Sequence, residues 1–425
     1  MVSKSGLKQV LLSNQRDIEK YKIFPRELPS DGFPLRVFIG VRRAGKSYML
    51  YQKIQSMLAS GHGWNEMLYL NFEDDRLDQF TLEDFNLILE CHSEMYGCRP
   101  MLFLDEIQNV DGWEKFARRL ADSKYAVWIT GSNAKMLSSE IMEKLGGRYL
   151  TTEVYPYSFK EYLNTQDIAY DELSLLDMER RGAVIRAWDE YFRWGGLPES
   201  VNLTVKRNYL SSVFQKIYLN DIASNGKIPN LGTLRLMIKK LAENVCQCVS
   251  YNRLAGVLSS VSGKVSMPTV SKYIEASEHS WLILRLRNVS ASFAEKESLC
   301  KYYFIDNGIL NLFLLEGEAS LLENLTALSL FYRYGHDRDN ERVFFYKDRA
   351  CEVDFYIPED KLAIQASYDL NRSQETFDRE ISALKRLPSV KECSRRVVLT
   401  NDEEGVIADS FGNIEIIPLW KWFLQ

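Results

Sequence analysis

The residue pattern with the clearest chemical meaning is an octapeptide that matches G-x-x-x-x-G-K-[ST] and runs from Gly40 to Ser47. Its two glycines allow a tight loop in which successive backbone N–H groups point at phosphate oxygens. The side chain of Lys46 would reach the β- and γ-phosphates of a nucleotide, and the hydroxyl of Ser47 would bind Mg²⁺. The octapeptide therefore predicts a phosphate-binding loop.

The surroundings of this loop are those that phosphate binding requires. An apolar stretch, Leu35–Gly40, predicts a strand before the loop, and the pattern over Lys46–Leu58 predicts a helix after it. The positive end of that helix dipole would add to the attraction for phosphate. The residues expected to bind the nucleotide are Gly40, Val41, Arg42, Arg43, Ala44, Gly45, Lys46, Ser47 and Tyr48.

Two acidic residues further along the chain are the next candidates. Asp105 and Glu106 follow the apolar stretch Met101–Leu104. Because parallel strands deliver their carboxyl ends to one shared edge of a sheet, this pair is expected beside the phosphate loop. Asp105 would hold Mg²⁺ through water, and Glu106 would polarise the attacking water as a general base.

Other polar residues could complete the same site. Ser132 or Asn133, after the apolar stretch Ala126–Thr130, could contact the γ-phosphate or align the water, or could only form a turn. Arg148 could neutralise transition-state charge, in its own chain or in a neighbouring subunit, or could be a surface residue after a helix. The acidic turn at 73–75 could orient the site or could simply be solvated. The predicted catalytic residues are Glu106, Lys46, Arg148 and Asn133.

The elements that must position these residues alternate along the first part of the chain. Apolar stretches at 35–40, 67–72, 101–104 and 126–130 predict strands, and helical patterns lie between them. Continuous apolar strands separated by helices are typical of a parallel sheet covered on both faces. A further helix is predicted over residues 7–25, before the first strand. The pattern therefore predicts an α/β fold.

The remainder of the chain has a different pattern. It turns helical from Ser158 to Phe192, and strands return from Lys301 onward. Between them, the segment 193–200 carries two glycines and a proline, which predicts a joint between domains. Residues 204–300 contain 13 Lys and Arg against 6 Asp and Glu. Such a balance indicates either a module that faces nucleic acid or a solvated basic surface.

Composition limits the class of protein. A chain of 425 residues, 46% hydrophobic and 26% charged, is typical of a globular protein with about two to four domains. Its net charge of -5 argues against general binding of polyanions. The seven cysteines form no C-x-x-C pair, and four scattered histidines argue against a structural zinc site. With neither a signal-peptide pattern nor a long apolar stretch, we expect a cytoplasmic protein.

Taken together, these motifs resemble one known family. The chain looks like the AAA+-type P-loop ATPases of bacteria and archaea that carry a C-terminal domain of unknown function. The resemblance covers nearly the whole chain after residue 30. It is carried by GVRRAGKS, LFLDEIQNVDGWEKFARRL, WITGSN, LGGRYLTTEVYPYSFKEYL, FRWGGLPES, YLNDI, KYYFIDNGIL and EVDFYI.

This resemblance implies an organisation for the whole chain and ATP and Mg²⁺ as cofactors. A P-loop NTPase core with a parallel sheet would be followed by a helical winged-helix module and a C-terminal α/β domain like restriction endonucleases. The expected boundaries are an N-terminal helix at 1–30, the ATPase core at 31–165, a helical lid or linker at 166–203, a winged-helix-like module at 204–300 and an endonuclease-like domain at 301–425.

The winged-helix interpretation can be placed on particular residues. Tyr251–Leu258 and Pro268–Ala276 predict two short helices separated by a Gly/Ser turn, and proline is well suited to a first helical position. The start of the second helix would suit a recognition helix in a major groove of DNA, although the same fold could serve protein contact. The residues expected near the partner are Thr269, Ser271, Lys272, Arg253, Lys264, Arg285 and Arg287.

The endonuclease-like interpretation meets two unfavourable residues. Nucleases of this fold use the pattern D…(D/E)-x-K, in which two carboxylates bind Mg²⁺ and a lysine assists the water. Asp354 fits the first position, but Gln365 replaces the second acid and Ser367 replaces the lysine. A neutral amide does not supply the charge that Mg²⁺ prefers. Glu323 could still assist Asp354. Two other lysines could substitute for the missing base, Lys361 and Lys347.

Three functions remain open at this level. The first is an Mg²⁺-dependent ATPase that couples nucleotide state to C-terminal modules holding DNA or protein, with residues 204–300 as the DNA-facing part. The second is a nucleotide-gated switch or scaffold with little turnover. The third is an ATP-regulated nuclease, which Gln365 and Ser367 disfavour. Having both Asp105 and Glu106 favours the first. A homo-oligomer would be needed if Arg148 acts between subunits.

Overall fold

The computed structural model describes residues 2–30, 32–132, 143–336 and 341–425. Asn133 therefore lies outside the described residues. The chain forms two compact units, Met1–Val154 and Tyr155–Gln425. Along the described part of the chain, no helix is both long enough and apolar enough to cross a membrane.

The first unit is built on a five-stranded parallel sheet with the strand order β2-β3-β4-β1-β5. All residues of β1 and β4 are buried, which agrees with sequences that are apolar on both faces of the sheet except at Arg36 and Thr130. The prediction of a parallel α/β sheet is therefore confirmed. The strands are β1 (Leu35–Ile39), β2 (Met67–Asn71), β3 (Met101–Asp105), β4 (Val127–Gly131) and β5 (Tyr149–Glu153).

Helices pack against this sheet. The first packs on β2 and on the third helix, and the second and fourth pack on β4. The fourth helix buries one apolar face, which includes Trp113, Phe116 and Leu120. The helices of this unit are α1 (Lys4–Ile18), α2 (Lys46–Ala59), α3 (Phe85–Tyr96) and α4 (Trp113–Asp122).

The first helix is shorter than the prediction of 7–25. It begins after Ser3, whose hydroxyl accepts the N–H of Gly6 at 3.1 Å, and it ends at Ile18. The side-chain amide of Gln55 on α2 donates to the carbonyls of Ile18 and Tyr21, at 2.8 and 2.9 Å. These bonds satisfy carbonyls that a longer helix would have used, so the chain leaves the helix before Pro25.

The second unit begins with helices and a small sheet. Strands β6, β8 and β7 pair antiparallel in that order, and helices α9 to α11 precede or separate them. The strands are β6 (Val249–Ser250), β7 (Ile283–Leu286) and β8 (Leu299–Phe304). The helices are α5 (Phe159–Thr165), α6 (Glu172–Leu176), α7 (Met178–Trp194), α8 (Lys206–Lys216), α9 (Leu231–Glu243), α10 (Tyr251–Ser262), α11 (Met267–His279) and α12 (Phe293–Ser298), with a π-helical segment at Ile217–Ser224.

A mixed six-stranded sheet completes the second unit, with the order β13-β14-β12-β11-β10-β9. Strands β11 and β12 are parallel because helix α15 crosses between them, whereas β9, β10 and β11 are antiparallel neighbours. The strands are β9 (Phe344–Lys347), β10 (Glu352–Ile357), β11 (Leu362–Ala366), β12 (Arg395–Thr400), β13 (Gly405–Asp409) and β14 (Gly412–Pro418). The helices are α13 (Asn307–Leu310), α14 (Glu318–Tyr334), α15 (Gln374–Arg386) and α16 (Leu419–Leu424).

The boundary predicted between residues 300 and 301 falls inside a strand. Strand β8 runs from Leu299 to Phe304; its first two residues pair with β6 and its last four with β7, so one strand crosses that boundary. Helix α14 then packs against both β8 and β11. Its residues from Leu321 to Phe331 are all buried, which is the pattern of a helix covered on every side.

The Gly-rich segment 193–200 lies inside the second unit rather than between the two units. The N–H of Gly196 donates to the carboxylate of Asp306 at 2.8 Å, and its carbonyl accepts the N–H of Tyr157 at 2.7 Å. Burial raises the pKa of Asp306 to about 6. A Cβ atom on Gly196 would stand 2.1 Å from the carbonyl oxygen of Tyr157. The glycine is therefore required by close approach of two backbones.

We predict that Gly196→Ala destabilises the protein by at least about 2 kcal/mol, because the new methyl group has no room beside the Tyr157 carbonyl. Gly256→Ala on α10 is the matched control, since a Cβ atom there meets nothing within 4 Å. That substitution should stabilise the protein by about 0.5 to 1 kcal/mol. Urea unfolding midpoints of both variants would check this, and equal midpoints would contradict it.

Candidate functional site

The loop between β1 and α2 is shaped by two glycines. Gly40 has a φ of +153°, and a Cβ atom there would stand 2.1 Å from the carbonyl oxygen of Val154. Gly45 has a φ of +94° and is the N-cap residue of α2. Only glycine adopts these conformations without strain, so the loop turns sharply and leaves the N-terminus of α2 open for an anion.

Lys46 lies at the centre of this loop and is 4% exposed. Its ammonium donates to the carbonyl oxygens of Gly40 and Val41, at 3.2 and 3.1 Å. The same nitrogen lies 3.7 Å from a carboxylate oxygen of Glu106. A buried ammonium requires such compensation. The structure thus brings Lys46 and Glu106, which are far apart in the sequence, into one charge pair.

Asp105 is completely buried at the end of β3. Its two carboxylate oxygens accept the hydroxyl groups of Thr130 and Tyr69, the latter at 2.7 Å. It is also hydrogen-bonded to the hydroxyl of Ser47. Burial and the adjacent charge of Glu106 raise the pKa of Asp105, although these hydrogen bonds act in the opposite direction. The Ser47 contact places the two predicted metal residues side by side.

Glu106 follows directly, with a positive φ of 50° that turns its side chain towards the loop. Its backbone N–H donates to the Thr130 hydroxyl at 2.9 Å, and its carboxylate accepts the N–H of Ser132 at 3.3 Å and the amide of Gln108. Burial disfavours the charged form of Glu106, but the charge of Lys46 and these hydrogen bonds lower its pKa. The carboxylate is therefore ionised and held in place.

Arg148 lies at the amino end of the strands, whereas the phosphate loop lies at their carboxyl end. It precedes β5, whose first residue, Tyr149, pairs with Leu35 at the start of β1. The phosphate loop follows the other end of β1, about 15 Å away along the strand. The guanidinium of Arg148 is exposed and forms an ion pair with Asp122 at 2.5 Å. Within its own chain, Arg148 therefore does not approach the loop.

Several residues around the site were not anticipated from the sequence. Thr130 and Tyr69 hold Asp105 from the two strands beside β3, and Gln108 holds Glu106. Thr130 gave one usable signal, because it is a polar residue near the end of an apolar strand, as Asp105 is. Tyr69 gave none, because its role depends on β2 lying next to β3.

The segment before β1 also contacts the loop and helix α2. The guanidinium of Arg26 donates to the carbonyl oxygen of Ala44 at 3.1 Å. The ring of Tyr21 lies 5.9 Å from that of Tyr48 and 5.1 Å from that of Tyr51. Tyr48, directly after Ser47, remains 44% exposed. An aromatic surface is thus available beside the phosphate loop, where a nucleotide base could stack.

These residues fit a nucleotide with a divalent cation. Gly40 has no side chain where the loop approaches Val154, and the ammonium of Lys46 lies on the carbonyl oxygens of Gly40 and Val41. Ser47 and Asp105 supply the hard oxygen atoms that Mg²⁺ prefers. The lowered pKa keeps Glu106 in the deprotonated form that a proton acceptor needs, although it also makes the carboxylate a weaker base.

Two of the basic residues that were predicted to lie near DNA form ion pairs inside the second unit instead. Arg285 pairs with Glu278 at 2.5 Å and with Glu297 at 3.2 Å, and Arg287 pairs with Glu297 and Glu341. Both arginines are thus neutralised within the unit and do not add positive charge to a DNA surface. The sequence could not reveal this, because Glu341 approaches Arg287 only through the fold. The predicted residues near the start of α11 include exposed ones, namely Arg253, Lys264 and Lys272.

Comparison with known proteins identifies two regions of the chain. A family described as an AAA domain matches residues 33–163, and a family described as a domain of unknown function matches residues 185–320. The AAA match covers the five-stranded sheet and the loop around Lys46.

The solved structure of a Walker-type ATPase of Pyrococcus abyssi is 13% identical, covers 74% of this chain and 96% of its own, and gives a TM-score of 0.39. AMPPCP-bound DnaA of Aquifex aeolicus is 16% identical, with coverages of 65% and 89% and a TM-score of 0.25.

Relatives match over the full length. An uncharacterized protein of Haemophilus influenzae is 28% identical over 92% of this chain and 94% of its own. The uncharacterized protein MJ1544 of Methanocaldococcus jannaschii is 32% identical over 100% of this chain and 96% of its own. This chain therefore belongs to the family of MJ1544, and its residues 33–163 form an AAA-type P-loop domain.

Proposed function

We propose that this protein is an Mg²⁺-dependent ATPase. One observation carries the proposal: Lys46, Ser47, Asp105 and Glu106 converge at the carboxyl edge of a parallel sheet, and the first and last form a buried charge pair. A lysine and two carboxylates in this arrangement match the charges that develop on a phosphoryl group and on an attacking water.

The residues would divide the work as follows. The Lys46 ammonium would leave the carbonyls of Gly40 and Val41 for the phosphate oxygens, which bind it more strongly because they are charged. Ser47 and Asp105 would hold Mg²⁺, which would neutralise developing phosphate charge. Glu106, freed from Lys46, would accept a proton from water.

Hydrogen bonds around Glu106 hold it in position for the proposed proton transfer from water. The N–H of Ser132 and the amide of Gln108 hold its carboxylate, and Thr130 holds its backbone. A base held by three neighbours loses little entropy on reaching its working position. Asn133 stays a prediction as a further contact to the γ-phosphate. Arg148 is proposed to act in the site of a neighbouring subunit, because it lies beside the end of β1 that is remote from its own phosphate loop.

We further propose that the second unit contains a winged helix and an endonuclease-like domain that bind a partner. The order α9, β6, α10, α11, β7, α12, β8 and the pairing of the three strands support a winged helix with a short helix between its last two strands. Helix α14 followed by β9, β10, β11, α15 and β12 supports an endonuclease-like core. Double-stranded DNA is the proposed partner at the exposed start of α11, and a protein is the alternative.

We predict that Lys46→Ala and Glu106→Gln separate binding from hydrolysis. Lys46→Ala should lower ATP affinity at least tenfold, because it removes the buried ammonium that lies on the carbonyls of Gly40 and Val41 and is available to the phosphates. Glu106→Gln should keep ATP affinity within a few-fold and lower kcat by about 10² or more. Fluorescent-nucleotide titration and phosphate release measure the two effects. If Glu106→Gln hydrolyses ATP at the wild-type rate, Glu106 is not the general base. If the wild type binds ATP without turnover, the result favours the nucleotide-gated switch.

We predict that Tyr69→Phe raises the Mg²⁺ concentration for half-maximal ATP hydrolysis by roughly tenfold, because Asp105 loses a 2.7 Å hydrogen bond that orients it. Tyr51→Phe is the matched control. Its hydroxyl lies 3.1 Å from that of Tyr69, in the same cluster, but is not bonded to Asp105. Turnover measured against Mg²⁺ concentration would check this. The same shift in both variants would show that the cluster, and not the Asp105 contact, is responsible.

We predict that double-stranded DNA raises ATP turnover and that Lys264→Glu and Arg253→Glu together weaken this effect, because Lys264 is exposed just before the proposed recognition helix and Arg253 is exposed on the helix that precedes it. Arg285 and Arg287 are neutralised inside the unit and are not suitable for this test. The stimulation should fall steeply between 50 and 200 mM salt, roughly as phosphate contacts do. Turnover that ignores DNA would move the search for the partner to proteins.

A further inference from the structure

A second buried lysine lies among carboxylates in the second unit. Lys301 occupies the interior of strand β8 and is 0% exposed. Its ammonium lies 2.9 Å from Asp354, 3.4 Å from Glu323 and 3.4 Å from Glu352. These three carboxylates and the ammonium form the Lys301 cluster. It joins a strand of the small sheet to helix α14 and to strand β10 of the six-stranded sheet.

Each carboxylate of the Lys301 cluster has a further partner. The hydroxyl of Tyr303 donates to Glu323 at 2.7 Å, the backbone N–H of Ala366 donates to Asp354 at 3.1 Å, and Lys347 pairs with Glu352. Burial and the charge of Asp354 raise the pKa of Glu323 to about 7, while the charge of Lys301 acts against this rise. The cluster is thus internally compensated rather than an array of free ligands.

The residues of the predicted nuclease pattern are used differently. The amide of Gln365 accepts the N–H of Asp354 at 2.7 Å and donates to Glu380 at 2.7 Å. Lys361, one of two predicted substitutes for the missing lysine, is exposed and pairs with Glu392 at 2.7 Å. The lysine that does reach Asp354 comes from β8, which the sequence placed at a domain boundary.

The carboxylates of the Lys301 cluster are accessible to small ions. Glu323, Glu352 and Asp354 line a cavity of about 840 Å³ together with Gln365 and Glu380. A small cation that entered the cavity would meet these carboxylates. Even so, across the described ranges no group of three or more His, Cys, Asp or Glu side chains is placed to hold a metal ion.

We propose that the Lys301 ammonium is the resident cation of this cluster, that it ties β8 to the endonuclease-like sheet, and that it excludes a divalent metal. Mg²⁺ or Mn²⁺ bound by Asp354 and Glu323 would stand about 2.1 Å from their oxygens, in the space that the ammonium occupies. Two cations in that space would also repel each other strongly. The cavity is therefore closed to metal-dependent cleavage as long as Lys301 is in place.

Mn²⁺ binding to the nucleotide-free, full-length protein tests this proposal. Electron paramagnetic resonance measures free Mn²⁺, and the decrease of this signal when protein is added gives the number of bound ions. We expect no difference between the wild type and Asp354→Asn, because neither holds a metal in the cluster. Lys301→Met removes the ammonium but keeps the length of the side chain. It should gain one bound Mn²⁺ per chain with a dissociation constant near 10⁻⁴ M, and the added Asp354→Asn should remove that ion.

Two outcomes would overturn the proposal. One is a wild-type protein that binds Mn²⁺ and loses it on Asp354→Asn, because the ammonium would then not exclude the metal. The other is a folded Lys301→Met that binds no more Mn²⁺ than the wild type. Circular dichroism shows whether Lys301→Met folds. If it does not fold, Lys301→Gln, which also removes the ammonium but keeps a polar side chain, takes its place in the same Mn²⁺ measurement.

Discussion

The positive charge of Lys46 is carried into a position almost closed to solvent, and the first unit is organised around it. The ammonium is balanced by two carbonyl oxygens of its own loop and by Glu106, which comes from a different strand. Because a buried ammonium without partners is costly, the loop, the strand end at Asp105 and the turn at Glu106 must all be in register for the unit to fold. The same arrangement leaves the lysine ready to exchange its partners for the more highly charged oxygens of a phosphate.

The second unit meets the same constraint with a different result. Lys301 is also buried among carboxylates, but its partners are structural, and they come from a helix and a strand that it holds together. The difference lies in what else surrounds the ammonium. Lys46 lies beside a glycine loop and an open helix N-terminus, which favour an anion, whereas Lys301 faces three acidic side chains, which do not. We therefore infer that Lys46 is suited to bind a phosphate, whereas Lys301 occupies the place that a metal ion would take.

Sequence patterns predict what is local and miss what depends on neighbours in space. The strand, loop and helix around Lys46 are contiguous, so the parallel sheet and its AAA-type domain could be predicted and are confirmed. The roles of Glu106 as the general base and of Asp105 as a metal ligand stay predictions. The supports from Tyr69 and Thr130 could not be predicted, because they require knowing that β2 and β4 flank β3. For the same reason, the sequence could not show that Arg148 begins a strand whose far end adjoins the loop, or that Lys301 reaches Asp354.

The central claim is that the partners of Lys46 change when a nucleotide binds. A crystal structure with Mg²⁺ and a non-hydrolysable ATP analogue tests it most directly. We predict that the Lys46 ammonium lies within about 3 Å of β- and γ-phosphate oxygens, away from the carbonyls of Gly40 and Val41, with Ser47 on the metal and Glu106 facing the γ-phosphate. An analogue bound elsewhere, or a Lys46 that keeps its present contacts beside the bound analogue, would show that Lys46 does not exchange its partners for the nucleotide.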